Sequence, residues 1–177
     1  MCPVPKRLVA PPLRAAPPPW VRGLIGETPE TCPSGAAASG LTCQGTGRFL
    51  LVRGDIPRAA DLGAERFAEV VADTYRAIGA ELTRWRRHAV RIWNFVPDIQ
   101  GQVDGVDRYH AFNAGRFRAY CDWFGDAQAF AASLPTASAV GVHGADLSIH
   151  VLAADTPGRP VENPRQRPAY RYSRRYG

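Results

Sequence analysis

The sequence lacks any Cys-x-x-C pair. Its four cysteines, Cys2, Cys32, Cys43 and Cys121, share no metal-ligand spacing, so no zinc site is expected. No apolar run approaches the length of a membrane span. No apolar signal core is present; the first twenty residues hold seven prolines instead. A reducing, cytoplasmic setting without a membrane partner is the expectation. G-x-S-x-G, Walker and Rossmann glycine patterns are all missing, which removes the commonest nucleophile-elbow and phosphate-loop chemistries. No internal repeat is found.

A basic surplus is also missing from most of the chain. The formal charge is +6, but residues 159–177 carry six arginines against one acid, Glu162. The other 158 residues hold 16 basic and 15 acidic side chains and are close to neutral. A nucleic-acid binder usually shows a wider basic face, so nucleic acid is not the expected partner. A basic tail that grips nucleic acid stays as a third reading, behind two that involve small molecules.

What is present is a chain of 177 residues, 45% of them hydrophobic, long enough to bury the core of one domain. Residues 1–19 are Pro-rich and read as a disordered leader; residues 20–177 read as the domain. "WVRGLIGE" (Trp20–Glu27) reads as a short strand, and Thr28–Gly47, rich in small and turn-forming residues, as a loop. "RFLLVRGDI" (Arg48–Ile56) reads as a buried strand bounded by Gly47 and Pro57.

Two helices follow from periodicity. Between Asp61 and Trp85, Phe67, Val70, Val71, Thr74, Tyr75, Ile78, Leu82 and Trp85 recur at three- and four-residue steps, with Asp61 as N-cap. A second helix spans Val106–Gly125, with Gly125 as its stop. "HAVRIWNFVP" (His88–Pro97) predicts a strand and Asp104–Gly105 a turn. Thr136–Gly144 and Ala145–Ala154 read as two strands joined by a glycine turn. The resulting fold class is α+β, with two helices packed on one face of a sheet. Strand alternation makes Phe49, Leu51, Ile149 and Val151 candidates for the opposite, uncovered face. Such a face predicts self-association, pairing with another polypeptide, or poor solubility.

One face of the second helix carries chemistry. Tyr109, Phe112, Asn113 and Arg116 fall at i, i+3, i+4 and i+7, with Tyr120 one turn further. In one reading the aromatics face the core and Arg116 snorkels to water. In the other this face is a pocket wall, where a fixed guanidinium clamps a carboxylate and a tyrosine hydroxyl adds a further bond. "VGVHG" (Val140–Gly144) reads as a tight turn rather than an anion nest. His143 and His150, seven residues apart, are expected to be structural. The closing stretch "NPRQRPAYRY" (Asn163–Tyr172) is stiffened by Pro164 and Pro168, with Tyr170 and Tyr172 alternating, as in a segment built to pack.

Four segments, "RIWNFVPDI", "YHAFNAGR", "LPTASAVGVHG" and "ENPRQRPAYRYSRRYG", resemble in order and spacing the signature segments of the chorismatases, also known as pteridine-dependent deoxygenase-like proteins. The resemblance runs from about Ile92 to Gly177, and more weakly back to Trp20. It implies a fold related to the Rid (YjgF-type) superfamily and hydrolysis of chorismate to pyruvate plus a cyclohexadiene diol or a hydroxybenzoate. It implies neither a metal nor an organic cofactor. Position by position, it makes Tyr109, Arg116 and Tyr170 substrate-contacting residues, while no catalytic residue is assigned. It further implies that family members continue past Gly177 into a second Rid-like half holding a general-acid glutamate and another carboxylate-binding arginine. The chain is therefore expected to be an N-terminal half: a fragment, a split gene product or a degenerate paralogue, with a second-half polypeptide or further copies of itself as partner. The alternative is a non-catalytic Rid-like module that binds a small carboxylate.

Overall fold

In a computed structural model of the chain, the described residues are 16–26, 30–32, 40–125, 134–159 and 165. They form, in chain order, α1 (Trp20–Ile25), β1 (Glu30–Cys32), β2 (Leu41–Thr46), β3 (Phe49–Ile56), α2 (Ala64–Arg84), β4 (His88–Pro97), β5 (Gln102–Val103), β6 (Val106–Asp107), α3 (Arg108–Phe124), β7 (Thr136–Val142) and β8 (Leu147–Ala154). Six strands make one sheet in the order β1-β2-β3-β8-β4-β7; β5 and β6 form a separate hairpin. All neighbours in the large sheet are antiparallel except β4 and β7.

The α+β architecture matches the expectation, with α2 and α3 on one sheet face. Phe67, Val71, Tyr75 and Ile78 of α2 and Phe112 and Ala119 of α3 are fully buried against Val52, Ile92, Val96, Ile149 and Val151. Each large apolar side chain shut away in this manner contributes about 1.5–3 kcal/mol before the cost of ordering it. β8 lies at the centre, and all eight of its residues are buried. Covered on both faces, Leu147–Ala154 carries two polar residues, Ser148 and His150, both of the same strand phase, and is otherwise apolar.

The structure corrects five local expectations. Trp20–Ile25 is a short helix, not a strand: Val21 and Ile25, four apart, bury together against Leu51, Trp93 and Leu152 on the far sheet face. The loop expected over Thr28–Gly47 contains β1 and β2, because the edge of β3 offers pairing that outweighs the weak local preference of "LTCQGT". Gly45 allows this pairing, since a Cβ there would lie 2.5 Å from the Phe49 carbonyl oxygen. The strands β7 and β8 exist, but they do not pair as a hairpin. They flank β4 on opposite sides, β7 parallel and β8 antiparallel to it.

The N-cap is the fourth correction. Asp61 ends a 3-10 turn (Ala59–Asp61), and α2 starts after Gly63 without a cap from its own neighbourhood. Asp104 supplies it instead, its Oδ2 accepting from the Ala64 N–H at 2.7 Å. A carboxylate there also complements the positive end of the helix dipole. Asp104 reaches this place because Asp104 and Gly105, at φ 53° and 76°, make the tight turn of the β5–β6 hairpin. The fifth correction concerns the far face. Ile149 and Val151 point to the helices; Phe49 and Leu51 belong to the far face, which α1 partly covers. Ser148 and His150 alternate with Leu147, Ile149 and Val151, and it is this polar phase that faces away from the helices.

The far face also holds polar groups. His150 is 2% exposed, edge-on to Phe95 at 5.3 Å, and neither ring nitrogen is hydrogen-bonded among the described residues. Ser148 donates to Asp55 at 2.5 Å, and Asp55 pairs with Arg53 at 2.7 Å. His143, by contrast, is exposed.

Two predictions follow from this packing. A Cβ built on Gly115 would sit 2.3 Å from the Ala68 carbonyl oxygen and 2.9 Å from the Val71 side chain, so α2 and α3 approach where no side chain fits. Gly115→Ala must push the helices apart and should cost about 1–3 kcal/mol, seen as a lower urea midpoint; an unchanged midpoint would show that the helices can separate freely. Burial, with the nearby Arg53 charge adding to it and Asp55 opposing, lowers the pKa of His150 to about 4. In the unfolded chain the imidazole takes up its proton near pH 6.5, where the folded form does not, so this contribution is complete above about pH 6.5 and is lost as pH falls toward about 4, by about 3 kcal/mol. Urea midpoints measured from pH 7.5 to 4.5 should fall more steeply for the wild type than for His150→Leu; parallel slopes would refute the assignment.

Candidate functional site

Asp107 opens α3, its side chain accepting from the His110 N–H at 3.1 Å, and Gly125, at φ 75°, closes it. Between these ends, 3.6 residues per turn bring Tyr109, Phe112, Asn113, Arg116 and Tyr120 to one side. Phe112 is fully buried and acts as the platform. The Tyr109 ring stacks parallel to it at 6.4 Å while staying 40% exposed. The Arg116 guanidinium carbon lies 5.6 Å from the Phe112 ring centre and 5.8 Å from that of Tyr120. Rings one turn before and one turn after thus hold a planar cation, an arrangement that suits arginine.

Among the described residues no carboxylate pairs with Arg116, although other arginines of the helical layer, such as Arg76 and Arg84, have acidic partners. The side chain is half-buried. A guanidinium fixed by two rings, with no counter-ion among the described residues, is suited to binding an anion bidentately.

Behind Arg116 a polar seam crosses the core. Tyr120 meets Tyr75 edge-on at 5.6 Å, and their hydroxyls interact. Tyr75 donates to Asn94 Oδ1 at 2.6 Å, and Asn94 Nδ2 donates to the Ser138 carbonyl at 3.0 Å. Burial raises both phenol pKa values, that of Tyr75 strongly, with Tyr120 adding to the rise and the Arg116 charge opposing it. Both hydroxyls therefore remain protonated at neutral pH and serve as donors rather than as bases.

Tyr109 and Arg116 both rest on Phe112, two helical turns apart, about 10 Å along the axis. Tyr170 lies outside the described residues, as does most of the arginine-rich closing stretch. Sequence reading put Tyr75 on the core side of α2 but missed its polar partner, Asn94. A signal existed: Ile92, Asn94 and Val96 share one strand phase, so Asn94 occupies a core position and requires partners for both ends of its amide.

The seam makes a prediction. Tyr75→Phe removes the only donor to Asn94 Oδ1 among the described residues and strands a buried acceptor, at a cost of about 1–3 kcal/mol. The urea midpoint should drop accordingly, and Tyr75→Phe combined with Asn94→Leu should recover part of the loss; a midpoint insensitive to Tyr75→Phe would mean that the seam carries no stability.

Residues 28–153 match the family model described as chorismatase FkbO/Hyg5-like, N-terminal. The chain is 30% identical over 141 residues to a 3-hydroxybenzoate synthase of Streptomyces hygroscopicus, covering 78% of this chain and 39% of that protein. It is 36% identical over 90 residues to a chorismatase of Streptomyces rapamycinicus, covering 49% of this chain and 25% of that one. The crystal structure of a chorismatase superposes with a TM-score of 0.60 at 22% identity, over 73% of this chain and 36% of that one, and so shares its fold. The chain spans well under half the length of each of these relatives. No helix among the described residues is long and apolar enough to cross a membrane. With a family model matching from Thr28 to Ala153, through the sheet and the whole of α3, the chain belongs to the chorismatase FkbO/Hyg5-like family and corresponds to its N-terminal domain.

Proposed function

We propose that this chain supplies a substrate-binding part of a chorismatase, an enzyme that releases pyruvate from chorismate, leaving a cyclohexadiene diol by hydrolysis or a hydroxybenzoate with no net uptake of water. Family membership and the names of the two relatives support the reaction class. The observation that carries the reading is Arg116, held on the Phe112 and Tyr120 rings with no carboxylate partner among the described residues. Chorismate bears two carboxylates. Arg116 takes one through parallel N–H bonds, the exposed Tyr109 hydroxyl adds a hydrogen bond, and Tyr170 contributes a third contact.

Hydrolysis of the enol ether needs a proton on the terminal methylene carbon. Water then adds to the resulting oxocarbenium carbon, and the hemiketal collapses to pyruvate and a ring hydroxyl. A placed carboxylic acid typically accelerates such protonation by about 10²–10⁴-fold. Tyr75 and Tyr120, with raised pKa values, are weak acids and position rather than protonate. The acid belongs, in this proposal, to a second half of the enzyme, carried on a longer chain or a separate polypeptide. That half, or another copy of this chain, would also cover the far sheet face, where Trp20 and Val140 are exposed.

A non-catalytic carboxylate-binding module would share the Arg116 clamp, and pyruvate release separates the two readings. The purified chain should bind chorismate but release pyruvate only at background rate. Addition of a second-half polypeptide should raise the rate. Arg116→Ala should weaken chorismate binding by tens of times, because a charged hydrogen-bonded partner is lost, while the urea midpoint stays near that of the wild type. If affinity is unchanged, or if the variant unfolds, Arg116 is structural and the clamp does not exist.

A further inference from the structure

Asn113 lies on α3 between Tyr109 and Arg116, and the solvent-sealed Oδ1 of its amide accepts no hydrogen bond from any described residue. Buried polar atoms without partners are rare in folded proteins, since each costs about 1–3 kcal/mol. Here the unpaired acceptor stands one helical turn from an arginine without a carboxylate partner among the described residues, their Cβ atoms about 5–6 Å apart. The two needs are complementary in kind: among the described residues one group lacks a donor and the other an anion.

We propose that Asn113 is a specificity-determining residue that accepts a hydrogen bond from a hydroxyl of the ligand whose carboxylate is held by Arg116, so that the site selects hydroxylated carboxylic acids over analogues lacking the hydroxyl. This rests on the carboxylate-binding reading of Arg116 and adds to it the second functional group of the ligand. The discrimination has a physical basis. A ligand without the hydroxyl leaves Asn113 Oδ1 unsatisfied in a closed site, whereas the hydroxylated ligand satisfies it on binding. In the free protein Asn113 then lowers stability, in exchange for selectivity.

The test compares chorismate with its 4-deoxy analogue by calorimetry on the whole chain, using the wild type, Asn113→Leu, Asn113→Asp and Arg116→Ala. The wild type should prefer chorismate by roughly tenfold or more. Asn113→Leu should abolish that preference while retaining affinity for the deoxy analogue, and its urea midpoint should equal or exceed that of the wild type, because an unpaired buried acceptor has been removed. Asn113→Asp should weaken both ligands by giving Arg116 an internal carboxylate. Equal preference in the wild type and Asn113→Leu, with Arg116→Ala still impaired, would overturn the role of Asn113 and leave the clamp standing. A lower urea midpoint or loss of folding in Asn113→Leu would show that Oδ1 has a structural partner, which also overturns it. Absence of binding to the wild type, or binding unaffected by Arg116→Ala, would overturn clamp and selectivity together.

Discussion

A single buried amide organises the helix-covered side of this protein. Asn94 is fully buried in β4, at a position where the strand pattern calls for an apolar residue. Its carbonyl end requires Tyr75, and its amino end requires the backbone of β7. The first bond holds α2 over β4; the second ties β4 to its parallel neighbour. Because the Tyr75 ring also receives Tyr120 edge-on, the same atom pair sets the height at which α3 lies and hence where Arg116 emerges. An apolar residue in place of Asn94 would avoid desolvating an amide, but it would leave the Tyr75 hydroxyl without its acceptor.

The close approach of the two helices completes this arrangement. Gly115 meets the Ala68 backbone, and Gly79 accepts the Trp123 indole so closely that a Cβ would lie 2.2 Å from Nε1. Glycine inside a helix is unfavourable by roughly 0.5–1 kcal/mol relative to alanine, so these positions are explained by proximity rather than by helix formation. The ring cluster of Tyr75, Tyr120, Trp123 and Phe124 fills the space thus created, with neighbouring ring centres 5.6–5.9 Å apart. Rigid aromatic packing under Arg116 restricts a side chain that would otherwise lose about 2 kcal/mol of rotamer entropy on binding.

The sequence made some of this legible and concealed the rest for identifiable reasons. The longer elements could be read directly, α2 and α3 from three- and four-residue repeats, β3 and β4 from runs of apolar, β-branched and aromatic residues ended by proline. Short elements could not. The six residues of α1 carry only two buried positions, Val21 and Ile25, too few to separate a period of 3.6 from one of 2. The strands β1 and β2 owe their state to pairing with β3, a non-local cause that no window contains. Asp104, forty residues from the helix it caps, is invisible to a rule that searches for the cap beside the first turn. For the site, the face from Tyr109 to Tyr120 was readable as a face. Its polar backing was not, since Tyr75, Asn94 and Ser138 come together only through tertiary packing.

The two sheet faces differ in a manner that bears on where binding can evolve. The helix face is largely apolar, with Asn94 of the seam, Glu81, Arg108 and the Asn113 amide oxygen as its buried polar groups among the described residues. On the far face, Arg53, Asp55, Ser148 and Arg91 are already committed to partners within the sheet, while Trp20 and Trp93 pack against each other at 5.9 Å. Groups engaged with one another have little to offer a ligand without first breaking a bond. On α3 the opposite holds: Arg116 has aromatic support but no counter-ion among the described residues, and Asn113 has a sealed acceptor without a donor. The ring nitrogens of His150 are also unpaired among the described residues, but that side chain is sealed within the sheet, whereas Arg116 is half-buried beside the exposed Tyr109, so recognition belongs to the helix rather than to the sheet.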